Sequence, residues 1–205
     1  PKHPAAQTAG DRILNALNQA KDYDNVASWA RRLLKVPAFQ GKADQDRLGQ
    51  LVVDARMKSA EQKAEKEPAK AAEIYVSVAT EFANNTRAPQ ALANAALLFL
   101  RADKTDESIK MYTVLVDKYP RSTEAPKAAW SAAKLYEQAA LWSEAAKLYQ
   151  LLADKFPNDG KAADALYNAG FLNENLGNTK AATAAYAEYT KRYKTRDDVR
   201  TVAFR

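Results

Sequence analysis

Apolar positions recur along this chain with a fixed period. Four tyrosines lie 37 residues apart, and each is followed by an apolar residue after three positions and by an aromatic residue after seven. Because seven residues of α-helix make almost two full turns, these side chains share one helix face. A fixed period of this size predicts stacked copies of one small helical unit. The tyrosines are Tyr75, Tyr112, Tyr149 and Tyr186.

A second helix is predicted before each of the later tyrosines, because small residues and leucines recur there at the same 37-residue step. Small residues allow two helices to approach closely. The two helices are separated by a short turn such as Leu176-Gly177-Asn178, and Pro120 and Pro157 follow the second helices. Since proline cannot continue a helix, each unit is predicted to be a helical hairpin.

The N-terminal part is a looser copy of the unit. Placing Trp29 on the tyrosine column aligns Val36 with the second aromatic position and leaves nine residues over, within residues 42–67. One interpretation is a first helix lengthened by about two and a half turns, which would project beyond its neighbours. The alternative is a break or loop near Glu65-Lys66-Glu67-Pro68.

The chain begins at Pro1 without an initiator methionine, and its last residues have the pattern of a new first helix, so we expect the parent protein to continue. The predicted organisation is a disordered end at 1–9, a divergent hairpin at 10–40, a hairpin with a lengthened first helix at 41–84, repeats at 85–121, 122–159 and 160–195, and the truncated start of a further helix at 196–205.

Composition argues against catalytic and metal chemistry. The chain has no cysteine, which excludes disulfides and thiolate sites, and its one histidine, His3, lies in the Pro/Ala-rich end. No glycine-rich phosphate loop is present, and the densest charge run, residues 61–67, is interpreted as a solvated helix face. We therefore predict no enzymatic activity, no cofactor and no metal.

The net charge of +6 is unevenly distributed, with six basic residues between Lys191 and Arg205. This segment either faces an acidic partner or anionic lipid, or forms a solvated terminal helix.

The unit resembles the tetratricopeptide repeat. The segments Ala169-Gly170, Leu176-Gly177-Asn178 and Ala181-Ala182, followed by Tyr186, have the family's small residues, turn glycine and aromatic position. The resemblance implies an all-α fold, a right-handed superhelical solenoid of antiparallel helical hairpins with about five repeats.

The period exceeds the usual value of about 34 residues because the connectors are longer, as in Tyr119-Pro120-Arg121-Ser122. Such connectors resemble those of tetratricopeptide proteins of the bacterial cell envelope, which act in outer-membrane assembly, in Tol-Pal coordination or in gliding motility. The resemblance implies a periplasmic or outer-membrane-associated protein, with a cytoplasmic location as the alternative.

In this family the first helix of each hairpin lines a concave groove, and the resemblance places seven residues of this chain there. Aromatic and apolar side chains with a basic rim suit a peptide with acidic flanks. The alternative is that Trp130 and Tyr167 only seal neighbouring hairpins. The candidate groove residues are Leu97, Arg101, Lys127, Trp130, Lys134, Tyr167 and Phe171.

The predicted function is a non-catalytic scaffold that binds protein or peptide partners on its concave face, with no small-molecule substrate. Peripheral association with a membrane would come through the parent protein. One alternative is a helical superstructure of a larger enzyme, such as a cell-wall lytic enzyme. RNA binding is disfavoured, because the basic residues do not form a repeated stripe.

Overall fold

The computed structural model describes residues 4–203, and all regular structure in that range is helical. These residues form eleven α-helices and one short 3₁₀ helix, so the predicted all-α class is confirmed. The chain divides into two compact units, Pro1–Lys104 and Thr105–Arg205. The division falls inside the predicted repeat 85–121.

Within each unit every α-helix packs against the next one along the chain. The first unit contains α1 (Pro4–Gln19), α2 (Tyr23–Leu33), the 3₁₀ helix (Pro37–Phe39), α3 (Lys42–Lys63), α4 (Pro68–Glu81) and α5 (Ala88–Arg101). The second unit contains α6 (Thr105–Lys118), α7 (Ala125–Gln138), α8 (Trp142–Lys155), α9 (Ala162–Asn175), α10 (Thr179–Arg192) and α11 (Val199–Ala203).

The repeating apolar columns form the core of both units. The four column tyrosines are each at most 5% exposed, and the apolar residues three positions later are completely buried. The small residues four positions before each tyrosine are buried as well, so bulky rings face short side chains. The sequence period therefore marks the buried face of the second helix in each hairpin. The small residues are Ala71, Ser108, Ala145 and Ala182.

Three of the four column tyrosines lie beside a polar side chain on the helix that follows their own hairpin. Asn94, Ser131 and Asn168 are near enough to Tyr75, Tyr112 and Tyr149, respectively, to lower the pKa of each tyrosine against the effect of burial. These polar residues are spaced by 37 residues, like the tyrosines. A buried hydroxyl without a partner costs about 1–3 kcal/mol, so these polar side chains favour the burial of the three tyrosines.

The hairpin turns end their first helices in the left-handed conformation. Asp103, Ala140 and Gly177 have φ values of 57°, 56° and 74°. At each turn an amide donates to the carbonyl oxygen five residues earlier, as in Leu141 N to Tyr136 O at 2.9 Å, which is the Schellman geometry. Gly177 adopts this conformation without the steric cost borne by the other two residues.

Helices α9 and α10 cross closely at Gly170. A Cβ atom placed on Gly170 would lie 2.6 Å from Cε1 of Tyr186. The equivalent residue on α7, Ala133, is fully buried with its methyl group. Tyr186 therefore approaches α9 so closely that only glycine fits there without a shift.

The N-terminal helix begins at Pro4, so the expected disorder of residues 1–9 is wrong for residues 4–9. The Gln7 side chain donates to the carbonyl oxygen of Ala38 at 2.9 Å, and Leu14 is only 4% exposed. These contacts with the 3₁₀ region hold the helix against the first unit. His3 lies outside the described residues.

Helix α3 runs without a break to Lys63, and the turn lies at residues 64–66. It has 22 residues, eight more than the 14 of α5. The buried face of α2 includes Ala30, whereas Trp29 is only half-buried. Ala30 therefore occupies the tyrosine column, and the predicted alignment on Trp29 is wrong by one residue. An indole is too large for this crossing, so it lies at the edge.

The last turns of α3, which were predicted to project beyond the neighbouring helices, contact the start of α2. Ser59 is 2% exposed and donates a hydrogen bond to Asp24 at the start of α2. Lys63 Nζ lies 2.7 Å from the same carboxylate, and its hydrogen bond holds the pKa of Asp24 below the usual range. The start of α2 therefore covers the lengthened end.

The further helix expected within residues 196–205 is present as α11, which begins at Val199. Val202 is 2% exposed and packs with Tyr186 and Tyr189 of α10.

Gly170→Ala should destabilise the chain, whereas Gly49→Ala should stabilise it. The methyl group at 170 meets the Tyr186 ring, which costs about 1–3 kcal/mol and outweighs the gain in helix propensity. A Cβ at Gly49, inside α3, meets nothing within 4 Å, so this control should gain about 0.5–1 kcal/mol. Urea unfolding followed by circular dichroism measures both changes. Equal effects would contradict the close crossing.

Stability should fall as the pH rises above about 10, the usual pKa of tyrosine. Burial raises the pKa of Tyr75, Tyr112 and Tyr149. When folding raises the pKa of a tyrosine, its protonated hydroxyl contributes fully to stability at pH values below the pKa in the unfolded chain. This contribution is lost as the pH rises through the higher pKa in the folded chain. Urea midpoints measured from about pH 8 to about pH 11.5, with tyrosinate absorbance, test this expectation. The Tyr112→Phe variant should lose less stability over this pH range than the unmodified chain. An identical loss would contradict a contribution from ionisation of the buried tyrosines.

Candidate partner-binding face

Five of the seven predicted groove residues lie on the first helices of the second unit. Lys127, Trp130 and Lys134 occupy one face of α7, because steps of three and four residues keep side chains on one side of a helix. Tyr167 and Phe171 are four residues apart on α9. We call these five residues the aromatic face.

Trp130 is half-buried, and its ring has a contact on each side. The edge of the ring meets the ring of Tyr149 at a centroid distance of 5.2 Å and an interplanar angle of 62°. The ammonium of Lys161, just before α9, lies 5.0 Å from the centroid of the indole. Trp130 therefore joins α7 to α8 and to the start of α9, which agrees with the packing interpretation for this residue.

Lys134 belongs to a small polar network. Its ammonium lies 3.0 Å from Glu137 Oε2, and the Tyr149 hydroxyl donates to the same oxygen at 2.8 Å. Burial, and after it the Glu137 carboxylate, raises the pKa of Tyr149. Because Lys134 already has a carboxylate partner, its positive charge is less available to an acidic partner than the sequence indicated. Lys127 is exposed.

The aromatic side chains of α9 form a short stack. Tyr167 and Phe171 are nearly parallel, with ring centroids 6.4 Å apart and an interplanar angle of 9°. Tyr167 also contacts Tyr186 and Tyr189 of α10 at centroid distances of 6.0 and 6.2 Å. Phe171 is 39% exposed at the outer end of this stack. Packing holds Tyr167 in place, and Tyr167 holds Phe171 toward solvent.

The other two predicted residues, Leu97 and Arg101, lie four residues apart on α5 in the first unit. Leu97 is 53% exposed and Arg101 is also exposed. The predicted set is therefore divided between the two units. Leu97, Lys134 and Phe171 occupy equivalent positions of their hairpins, and each is accessible to solvent.

Sequence reasoning missed a second contact of the repeat tyrosines. Tyr186 donates to Glu174 Oε2 at 2.7 Å, just as Tyr149 donates to Glu137. The two glutamates are 37 residues apart, so the period carried the signal.

The basic C-terminal segment is partly neutralised within the second unit. Arg196 pairs with Asp164 at 3.1 Å and lies 5.9 Å from the Tyr189 ring centroid. Arg192 donates to the carbonyl oxygen of Ala153 at 2.8 Å and also pairs with acidic residues of α8 and α10. These pairs favour the interpretation of a solvated terminal segment over an acidic-partner surface.

Residues 4–203 contain no group of three or more His, Asp or Glu side chains placed to hold a metal ion. In the same range, no helix has the length and apolar character needed to cross a membrane.

Comparison with known proteins identifies the repeats. Residues 90–122, 127–159 and 164–195 each match the tetratricopeptide repeat family. No curated protein is significantly similar to the chain. No catalytic family is indicated.

Solved structures of low sequence identity are similar to this chain. BtubC (BKLC) from P. vanneervenii is 16% identical, with 92% of this chain and 80% of that chain covered and a TM-score of 0.50. MamA is 15% identical over 91% of each chain at a TM-score of 0.48. The pilF protein of Pseudomonas aeruginosa is 13% identical, with 98% of this chain and 97% of that chain covered and a TM-score of 0.45. At these identities only the fold is shared, and only the first similarity supports it.

Trp130→Ala should cost far more stability than Phe171→Ala. Removing the half-buried indole takes away its contact with Tyr149, at a cost of about 2–3 kcal/mol. Phe171 is exposed at the end of its stack, so its truncation should cost less than about 1 kcal/mol. Free energies of unfolding in urea measure both. Equal costs would mean that Phe171 is a packing residue and not part of an accessible face.

Proposed function

From the premise that the chain carries tetratricopeptide repeats, we propose that it is a non-catalytic scaffold that holds protein or peptide partners in a bacterial cell-envelope complex. Tetratricopeptide repeats are protein-interaction modules, and this coarser role follows from the repeats themselves. The envelope setting rests on the long connectors between hairpins, such as Tyr119-Pro120-Arg121-Ser122.

The observation that carries the proposal is the solvent-exposed ring of Phe171 on an ordered support. A ring that is 39% exposed but stacked on Tyr167 can bury apolar surface on binding without much further loss of side-chain freedom. Aromatic side chains with this support are the usual anchors of protein interfaces. Phe171 is therefore the residue of the aromatic face most suited to contact a partner.

Exposed cations on the aromatic face and beside Trp130 favour a partner segment with acidic side chains. Lys127 is exposed on α7, and the side chain of Lys161 is 55% exposed beside Trp130. Lys134 contributes less, since Glu137 already balances its charge. An apolar contact at Phe171 flanked by one or two ion pairs should depend only weakly on salt, whereas nucleic-acid binding should fall steeply with salt.

A photo-crosslinking amino acid at position 171 should capture envelope proteins in intact host cells, and one at position 176 should not. Phe171 and Leu176 are similarly exposed, at 39% and 38%, and both belong to the α9 hairpin. Leu176, however, lies at the hairpin turn, away from the aromatic face. Mass spectrometry of the adducts identifies the partners.

Phe171→Ala should abolish capture at a crosslinker placed at position 127, with helix content unchanged. Capture of cytosolic proteins would overturn the envelope setting. Equal capture at positions 171 and 176 would overturn the aromatic face as the binding surface. Loss of capture in high salt would point to nucleic acid or a purely charged contact.

A further inference from the structure

A cleft in the first unit combines a high density of cations with few carboxylates. It has a volume of about 370 Å³ and lies between the exposed side of α2 and the middle of α3. We call it the basic cleft. Its polar lining consists of Asp24, Ser28, Arg31, Arg32, Lys35 and Arg56.

The carboxylates near the basic cleft are already occupied. Glu81 of α4 accepts hydrogen bonds from both Arg31 and Arg56, the latter at 2.9 Å. Asp24 is held by Lys63 of α3, whose ammonium lies 2.7 Å away, and by a hydrogen bond from Ser59. Of the four cations of the cleft, Arg31 and Arg56 therefore share the one carboxylate of Glu81.

The positive charges of the two inner guanidiniums, those of Arg31 and Arg56, are only partly balanced by nearby carboxylates. Burial lowers the pKa of Arg56, and the neighbouring positive charge of Arg31 lowers it further. The Nε atom of Arg31 is enclosed and has no hydrogen-bond partner among the described residues. An added oxyanion would relieve the repulsion between the two guanidiniums and accept hydrogen bonds that the protein itself does not provide.

The two outer cations, Arg32 and Lys35, are placed to contact such an oxyanion. The Arg32 guanidinium lies 5.3 Å from the ring centroid of Trp29, which limits its freedom. Arg32 and Lys35 are exposed, and no carboxylate of residues 4–203 lies within ion-pair distance of either. The two carboxylate-paired guanidiniums and the two exposed cations without a carboxylate partner thus line one concave space.

We propose that the basic cleft binds the carboxylate side chains of an acidic peptide segment in a protein partner. Guanidinium groups bind carboxylates through paired hydrogen bonds, and a narrow cleft admits single side chains more readily than a flat lipid surface. The basic residues of the chain do not recur as a repeated stripe, which does not suit a nucleic-acid backbone. The cleft shares no residue with the aromatic face.

The test uses a hexaglutamate peptide with blocked ends, titrated calorimetrically into the full chain. The double variant Arg32→Ala/Lys35→Ala should bind it at least about tenfold more weakly, because two charged contacts are lost. The matched control Arg12→Ala/Lys42→Ala removes the same charges from exposed positions of the same unit outside the cleft. It should bind within about twofold of the unmodified chain.

A third variant tests the inner guanidiniums. Glu81→Gln removes the carboxylate that competes for Arg31 and Arg56, so it should bind the peptide at least about threefold more tightly. Circular dichroism confirms that each variant keeps its helix content. The absence of any gain would mean that the peptide does not reach these guanidiniums and would overturn the site.

Other outcomes also decide the proposal. No binding by the unmodified chain, or equal weakening by both double variants, would overturn it. Inorganic phosphate and vesicles of phosphatidylglycerol and phosphatidylcholine are titrated in parallel. Binding of either one without binding of the peptide would reassign the cleft to free phosphate or to lipid. None of these results depends on Phe171, so the proposed aromatic face is tested separately.

Discussion

The buried tyrosine hydroxyl is the constraint on which the repeat depends. A ring at the hairpin crossing supplies apolar area, but its hydroxyl must be hydrogen-bonded once water is excluded. Tyr149 meets this need with Glu137 of its own hairpin and Asn168 of the next one. One side chain thus fixes the helix pairing inside a hairpin and the register of the following hairpin, which explains why the tyrosines and their partners share one period.

The same constraint separates buried from accessible positions on the first helices. Positions that face the tyrosine are small and buried, as with Ala133 and Gly170. One residue further along each helix, Leu97, Lys134 and Phe171 occupy equivalent places, and all three are accessible. Since packing does not restrict this column, its chemistry is free to vary between hairpins, which suits a surface that selects partners.

Charge is used differently in the two units. In the second unit Arg192 and Arg196 are held in internal pairs, so part of the basic C-terminal charge is neutralised within the unit. In the first unit Arg31 and Arg56 share one carboxylate, while Arg32 and Lys35 have none within ion-pair distance among residues 4–203. The net charge given by composition thus indicated neither where positive charge is neutralised nor where it remains available.

The sequence by itself determined the helical hairpins and their core, because the 37-residue period places apolar side chains on one helix face through local geometry alone. It also located the lengthened α3, although it misplaced Trp29 on the tyrosine column. Only the tertiary structure decided that residues 4–9 are helical, that Glu137 serves Tyr149 and Lys134, and that Arg31 lies beside Arg56. These features depend on side chains from different helices meeting in space, and a one-dimensional period does not encode those distances.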